Sequence, residues 1–422
     1  MASSPALFPR HLRPALEAAL GDTPVVLVVG PRQSGKTTLC RIVAEGRAAR
    51  FLSLDDAATL AAASADPAGF IAAQDGPILI DEVQKVPELL PAIKLAVDRR
   101  REAGRFLLTG SADVLALPRV SESLAGRMEV LTLWPLSQGE LAGRREGFID
   151  ALFAASKPES VAQDGSRADL VERALRGGFP EAVARTDPDR RRAWFRSYVT
   201  TILERDVRNL AQIEGLTELP RILNLLAARS SSLLNIAELS RSLGLPQTTL
   251  GRYLALLESA FLARRVPAWA GSRARRTVKS PRVWIPDTGL LGHLAGLTPA
   301  RLAENPMGLG PLLETFVASE IVKQLGWSET HAELLHFRTH GGKEVDLVLE
   351  ADDGRLVGIE VKAAARLGAA DMRGLAALRE AAAKRFHRGV LLYTGRETLP
   401  FGPGLWAMPV SALWQLAARA GS

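Results

Sequence analysis

The segment Gly30-Pro31-Arg32-Gln33-Ser34-Gly35-Lys36-Thr37-Thr38 carries the spacing G-x-x-x-x-G-K-[ST]. Its chemistry is the cradling of a phosphate chain. Gly30 and Gly35 let the backbone curl so that its N–H groups point at phosphate oxygens. Lys36 is placed to reach the β- and γ-phosphates, and the Thr37 hydroxyl to bind Mg2+. Forty-five residues after Lys36, the apolar run PILI ends in Asp81-Glu82. Asp81 suits the Mg2+ shell, and Glu82 suits orienting and deprotonating an attacking water. A third run, RFLLTGSAD, ends in Thr109-Gly110-Ser111. Thr109 or Ser111 can sense the γ-phosphate, with Ser111 slightly preferred. Arg127, next to Gly126, reads either as a charge that completes a neighbour's active site or as a solvated arginine.

A second constellation lies near the end of the chain. Asp346 falls within EVDLVLE, and Glu360 and Lys362 fall two residues apart within RLVGIEVK, so they share one face of a strand. Two carboxylates and a lysine converging across a sheet are the chemistry of metal-dependent phosphodiester cleavage. Asp346 and Glu360 would hold Mg2+ with the Val361 carbonyl, and Lys362 would orient the attacking water. Glu314, on a preceding helical stretch, can complete the shell, and Arg338 and Lys343 can touch a substrate backbone. E-x-K on a strand is frequent, so the short motif alone is weak. His331, His336 and His340 are irregularly spaced and give no metal trio. Cys40 is the sole cysteine, which excludes an intramolecular disulfide and a cysteine metal cluster.

These residues need elements to position them. Val25–Val29, Phe51–Leu54, Ile78–Ile80, Phe106–Leu108 and Val130–Leu133 read as strands alternating with helices, such as Lys36–Ala44 and Glu88–Ala103. That alternation predicts a parallel, doubly wound α/β sheet. From about residue 136 to 260 helical periodicity dominates, broken at Gly177-Gly178-Phe179-Pro180, and Ala154–Ala168 reads as a loop or insertion. A second α/β pattern runs from Val283 to the end.

Within the middle, Asn235 caps a short helix, Gly244 turns the chain, and Pro246 opens another helix, with FLARRVPAW following as a wing strand. This is a helix-turn-helix layout in which Gln247, Thr248, Thr249 and Arg252 would face DNA. A protein-contacting winged helix and a plain helical lid are the alternatives. Charge favours DNA. The chain carries 53 Lys+Arg against 46 Asp+Glu, a net +7. Residues 241–282 alone hold nine basic residues against Glu258, a net +8 in 42 residues. Arg273, Arg275, Arg276 and Lys279 lie in this stretch and are expected to neutralise phosphates. Trp269 reads as a core residue, with stacking on an unpaired base as the alternative.

The sequence resembles the prokaryotic ATPases of the AAA superfamily that carry a C-terminal domain formerly of unknown function. The landmarks are GPRQSGKTTL, FLSLDD, ILIDEVQ, FLLTGSAD, SLAGR, GGFPE, YVTTILERDV, PDTGLL, LLETFVASEI and EVDLVLE…IEVK. They run in one order along nearly the whole chain. The C-terminal set also resembles the PD-(D/E)xK nuclease superfamily, as Asp346 followed by Glu360-x-Lys362 after 14 residues. It departs from that pattern in having Val345 where the proline would stand.

The expected fold is α/β. A P-loop AAA-type domain spans 1–150, a helical lid 151–215, a basic winged helix 216–282 and a restriction-endonuclease-like α/β domain 283–422. The expected function is ATP hydrolysis with Mg2+, coupled to DNA binding and to cleavage or processing of DNA, branched DNA included. The chain is expected to work as a homo-oligomer. One alternative is an ATP-switched DNA-binding regulator or defence sensor with an inactive nuclease fold; another is a protein-remodelling ATPase. The proline-broken, basic N-terminus does not read as a signal peptide, and no apolar run approaches membrane-spanning length, so a cytoplasmic location without membrane contact is expected.

Overall fold

The structure, a computed structural model, describes residues 7–111, 124–207, 216–271, 276 and 279–417. They form two compact units. One holds Pro9–Pro135 with Ser259–Phe261, and the other holds Leu136–Glu258 with Leu262 onward.

The first unit is built on five strands: β1 (Val25–Val29), β2 (Arg50–Ser53), β3 (Ile78–Asp81), β4 (Phe106–Gly110) and β5 (Met128–Thr132). All pair in parallel, in the order β2-β3-β4-β1-β5. β1 is VVLVV and buried along its length, as a central parallel strand covered on both faces requires. Its side chains alternate between two cores. Val25, Leu27 and Val29 pack with Leu90, Ile93 and Val97 of helix Leu89–Arg99. Val26 and Val28 pack with Leu39, Cys40 and Val43 of helix Lys36–Gly46 and with Leu16 and Leu20 of helix Arg13–Asp22. The expected parallel sheet is therefore present, with strand ends within about two residues of those read from sequence.

In the second unit, helix Leu219–Ala228 leads to Ser231–Leu234, which runs against β7 (Arg282–Trp284) through Ser231 N–H to Val283 O, 2.8 Å, and Leu234 N–H to Pro281 O, 2.8 Å. Helix Ile236–Leu243 follows, capped by the Asn235 side chain and ended by Gly244 at φ +68°. Helix Gln247–Ser259 comes next. Then β6 (Arg264–Val266) pairs antiparallel with β7.

Helix Leu309–Gln324 opens the last part and is buried almost all round, consistent with its lack of a polar face. β8 (Ala332–Arg338), β9 (Glu344–Ala351) and β10 (Leu356–Lys362) form an antiparallel meander. Helix Arg373–Ala382 then crosses over to β11 (Phe386–Tyr393), which is parallel to β10. β12 (Leu399–Pro400) and β13 (Leu405–Pro409) complete a sheet of order β12-β13-β11-β10-β9-β8. The expected hairpin through Asp352-Asp353-Gly354 is present. The stretch expected as a loop, Ala154–Ala168, is one as far as Ser166, which caps helix Arg167–Arg176, and it is tethered: Val161 N–H donates to Thr398 Oγ1, and Arg388 donates to the Ala154 and Ser156 carbonyls.

Buried polar contacts explain several landmarks as structural. The Asp287 carboxylate accepts from Leu290 N–H, capping helix Thr288–Leu294, and from Gly178 N–H at 2.7 Å. Gly177 has φ +69°, and a Cβ there would lie 2.4 Å from Asp287 Oδ1. Both backbone and space thus require glycine. GGFPE and PDTGLL are two halves of one joint.

Candidate functional site

β1 ends at Val29 and helix Lys36–Gly46 begins seven residues later, so the intervening loop lies at the helix N-terminus, where N–H groups and the dipole attract anions. Gly30 takes φ +149°, and a Cβ on it would sit 2.2 Å from Leu133 O, so the turn admits only glycine. Gly35 adopts φ +96° and Gln33 φ +59°. The Lys36 ammonium donates to the Gly30 and Pro31 carbonyls at 3.0 and 2.8 Å. Burial lowers its pKa to about 8, with the Glu82 charge acting in the opposite sense.

Sequence reading missed Arg10. Its guanidinium donates to Ser34 O and Trp134 O, both at 2.6 Å, and so braces the loop from behind. Nothing in the spacing of Arg10 from Ser34 could have signalled this contact.

Asp81 and Glu82 stand at the end of β3, beside the loop. Thr37 Oγ1 donates to Asp81 Oδ1 at 2.9 Å, and Thr109 Oγ1 donates to the same oxygen at 2.5 Å. Burial raises the Asp81 carboxyl above its ordinary value, against the two hydroxyls that favour its charged form. Thr37 and Asp81 present hard oxygen donors side by side, a fit for a small divalent cation. Thr109 is thus turned toward Asp81, while Ser111 is turned toward Glu82: Ser111 Oγ donates to Glu82 Oε2 at 2.9 Å. Gln84, which sequence reading did not select, donates from Nε2 to both Glu82 Oε2 and Ser111 Oγ.

Arg127 lies beside β1 but at the end of the sheet where the strands begin. It immediately precedes β5, and its carbonyl accepts from Val25 N–H at the start of β1. Five residues of strand, at about 3.3 Å each, separate that end from the phosphate loop by roughly 16 Å. Its guanidinium pairs with Asp98 at 2.5 Å. Arg127 is therefore outside its own chain's nucleotide site.

In the second unit the four residues of the C-terminal constellation do meet. Glu314 comes from helix Leu309–Gln324, Asp346 from β9, and Glu360 and Lys362 from β10. Burial, then the Asp346 charge, pushes Glu360 up to about 8 and Glu314 up to about 7. For Lys362, burial opposes its charge, but Glu360 and Asp346 outweigh it and hold its pKa above the ordinary value. Lys362 Nζ pairs with Glu360 Oε1 at 2.9 Å.

A fifth residue stands among them. Arg282 of β7, with its side chain 5% exposed, places Nη1 2.8 Å from Asp346 Oδ1 and 3.8 Å from Glu314, and Nη2 3.0 Å from Glu344. The other Asp346 oxygen accepts from Val361 N–H at 2.9 Å.

The expected Mg2+ shell of Asp346, Glu360 and the Val361 carbonyl is therefore corrected. Arg282 and the Val361 amide take both Asp346 oxygens, and Lys362 takes one of Glu360. As arranged, these residues do not fit a metal. Among the described residues, no group of three or more His, Cys, Asp or Glu side chains is disposed to hold one. Glu344 and Arg282 escaped the sequence reading because Arg282 looked like one more member of a basic run.

The middle residues divide in the same way. Gln247, Thr248 and Arg252 are exposed and Thr249 half-buried, on the first turns of helix Gln247–Ser259. Arg276, expected on DNA, has its guanidinium paired with Glu333 at 3.1 Å and with Glu350. Lys279 donates to Arg338 O at 3.3 Å, and Arg338 itself lies 3.8 Å from Glu344. Arg273 and Arg275 lie outside the described residues. Trp269 is a core residue, packed edge-on against Phe337 at 5.8 Å. The chain beyond β6 joins the C-terminal sheet, as His336 N–H donates to Pro267 O at 3.0 Å. No helix among the described residues is long and apolar enough to cross a membrane.

Residues 22–142 match the AAA domain family. Residues 167–301 match a domain of unknown function, DUF8612, and residues 309–413 another, DUF4143. With the loop geometry above, the first unit is an AAA-superfamily ATPase domain of the P-loop type, which binds nucleotide with a divalent metal. Among solved structures, the chain is similar to the Walker-type ATPase PABY2304 of Pyrococcus abyssi, at TM-score 0.43 and 14% identity over 68% of this chain and 96% of that one. It is also similar to the RuvB Holliday junction branch migration motor of Thermotoga maritima, at TM-score 0.28 and 21% identity over 61% of this chain and 87% of that one. The uncharacterized proteins Rv2008c of Mycobacterium tuberculosis and Mb2031c of Mycobacterium bovis are each 35% identical over 352 residues, or 82% of this chain and 72% of theirs. The chain belongs to the family of these two mycobacterial proteins.

Proposed function

We propose that this protein is an Mg2+-dependent ATP hydrolase that binds DNA through its middle helices, with a nuclease-like C-terminal sheet that does not cut in the arrangement described. The ATP-hydrolysing part rests on Lys36, Thr37, Asp81 and Glu82. The loop and Lys36 would bind the phosphates, and Thr37 and Asp81 would hold Mg2+, which when bound neutralises phosphate charge. Glu82, held by Ser111 and Gln84, would orient the attacking water and accept its proton.

The observation that carries DNA binding is the exposed polar first turns of helix Gln247–Ser259, with Gln247, Thr248 and Arg252 toward solvent. The order helix, short strand, two helices, antiparallel ribbon supports a winged helix, in which the second helix of the turn meets the major groove. The order helix Leu309–Gln324, β8, β9, β10, helix Arg373–Ala382, β11 supports a nuclease-like sheet. Arg282 among its carboxylates favours binding without cleavage, as in a nucleotide-switched regulator.

Fluorescence anisotropy with labelled single-stranded, duplex and four-way DNA tests this reading. Joint replacement Gln247→Ala, Thr248→Ala, Arg252→Ala is expected to weaken binding at least tenfold. Absence of affinity for every DNA at low salt would instead favour a protein-remodelling ATPase. Mg2+-dependent cutting abolished by Asp346→Asn would restore the cleavage reading.

A further inference from the structure

We infer that Arg282 is a resident cation that locks the Glu314–Glu344–Asp346–Glu360 cluster, so that a divalent metal enters only when β7 withdraws its guanidinium. The inference concerns this cluster alone and stands whether or not the middle helices meet DNA.

Four carboxylates surround two central cations, Arg282 and Lys362, with Arg338 touching only the outer Glu344. Arg282 bonds a buried carboxylate of the cluster, at Asp346 Oδ1, where a metal would also have to bind. Neither side is saturated. Glu360 is 5% exposed, and its Oε2 is buried without a hydrogen-bond partner; Arg282 Nε is likewise buried and unpartnered. A buried carboxylate oxygen lacking any donor is a site where a further cation is favoured. A guanidinium that leaves its own Nε unsatisfied is a replaceable occupant rather than a fully built structural member. Arg282 also sits on a short element: β7 spans three residues and pairs with three-residue β6 and with Ser231–Leu234. The segment Ser231–Leu234 leads directly into helix Ile236–Leu243, so movement of that helix pulls on the strand bearing the arginine.

The test is uptake of Mn2+ by the nucleotide-free, full-length protein, read by electron paramagnetic resonance of the free ion, with Asp346→Asn subtracting every other site. Wild type is expected to take up no Asp346-dependent Mn2+ up to millimolar concentration. Arg282→Gln is expected to take up one ion per chain, at least tenfold more tightly, and to lose it when Asp346→Asn is added. Asp346-dependent Mn2+ uptake by wild type matching that of Arg282→Gln overturns the lock, as does a folded Arg282→Gln that binds none. If Arg282→Gln fails to fold, the wild-type titration decides: Asp346-dependent uptake with Arg282 in place refutes the lock, and its absence supports it.

Discussion

Glu82 is held at φ +61°, ψ +46°, a left-handed conformation that a non-glycine residue adopts at a cost of about 1–3 kcal/mol. The surroundings hold it there: its N–H donates to Thr109 Oγ1 at 3.1 Å, and its carboxylate is gripped by Ser111 and Gln84. Strain maintained at a carboxylate beside a phosphate loop fits a group that must be aimed. Glu82→Gln keeps the shape and removes the base, so phosphate release is expected to fall by about 10²–10⁴-fold. Binding of a fluorescent nucleotide analogue should stay within a few-fold of wild type. Loss of binding together with turnover would make Glu82 a structural support instead. The phosphate loop was legible from sequence because its chemistry is packed into nine consecutive residues. Arg10 and Gln84 were not, because their roles depend on which carbonyl or carboxylate the fold brings within reach.

At the scale of elements, the chain leaving β6 is stitched to β8, and His336 is the stitch. Its N–H donates to Pro267 O, and its Nε2–H donates to Ser280 O at 3.1 Å, while Nδ1 is buried without a partner. Burial, then the Arg282 charge, lowers its pKa from 6.5 to about 4. As pH falls, the unfolded chain therefore takes up this proton before the folded one does. The stability this neutral ring provides is complete above about pH 6.5 and is lost as pH falls through about 4. Urea midpoints measured across that window should drop for wild type, and drop less for His336→Gln, which keeps a donor but cannot titrate. Equal slopes for the two proteins would show that the ring is not held neutral. The strands and helices here follow local apolar patterns and could be read in advance. The docking of the ribbon's connection on β8 could not, since it depends on backbone groups some 70 residues apart, Pro267 with His336.

At the scale of the whole molecule, charge carries the difference between sequence and fold. The excess of +8 over residues 241–282 is a fact of sequence, but the fold pairs several of its arginines, two of them with carboxylates outside the stretch. Arg265 pairs with Glu258, Arg276 with Glu333 and Glu350, and Arg282 with Asp346, Glu344 and Glu314. Arg264 is drawn below its ordinary pKa by burial. Arg241 and Arg252 are exposed, Lys279 is half-buried, and Arg273 and Arg275 lie outside the described residues. At most five of the nine are thus left to meet phosphates. Each neutralised phosphate contributes about −0.9 to the slope of log K against log salt. Nine contacts on duplex DNA would give a slope of about −8, and five or fewer about −4.5 or shallower. Anisotropy titrations over a salt series should therefore return the shallower value. A slope near −8 would mean that DNA draws Arg276 and Arg282 away from the C-terminal carboxylates. In that case the same protein should acquire Asp346-dependent Mn2+ uptake when DNA is added, because the arginine leaving its socket is the one that closes the cluster.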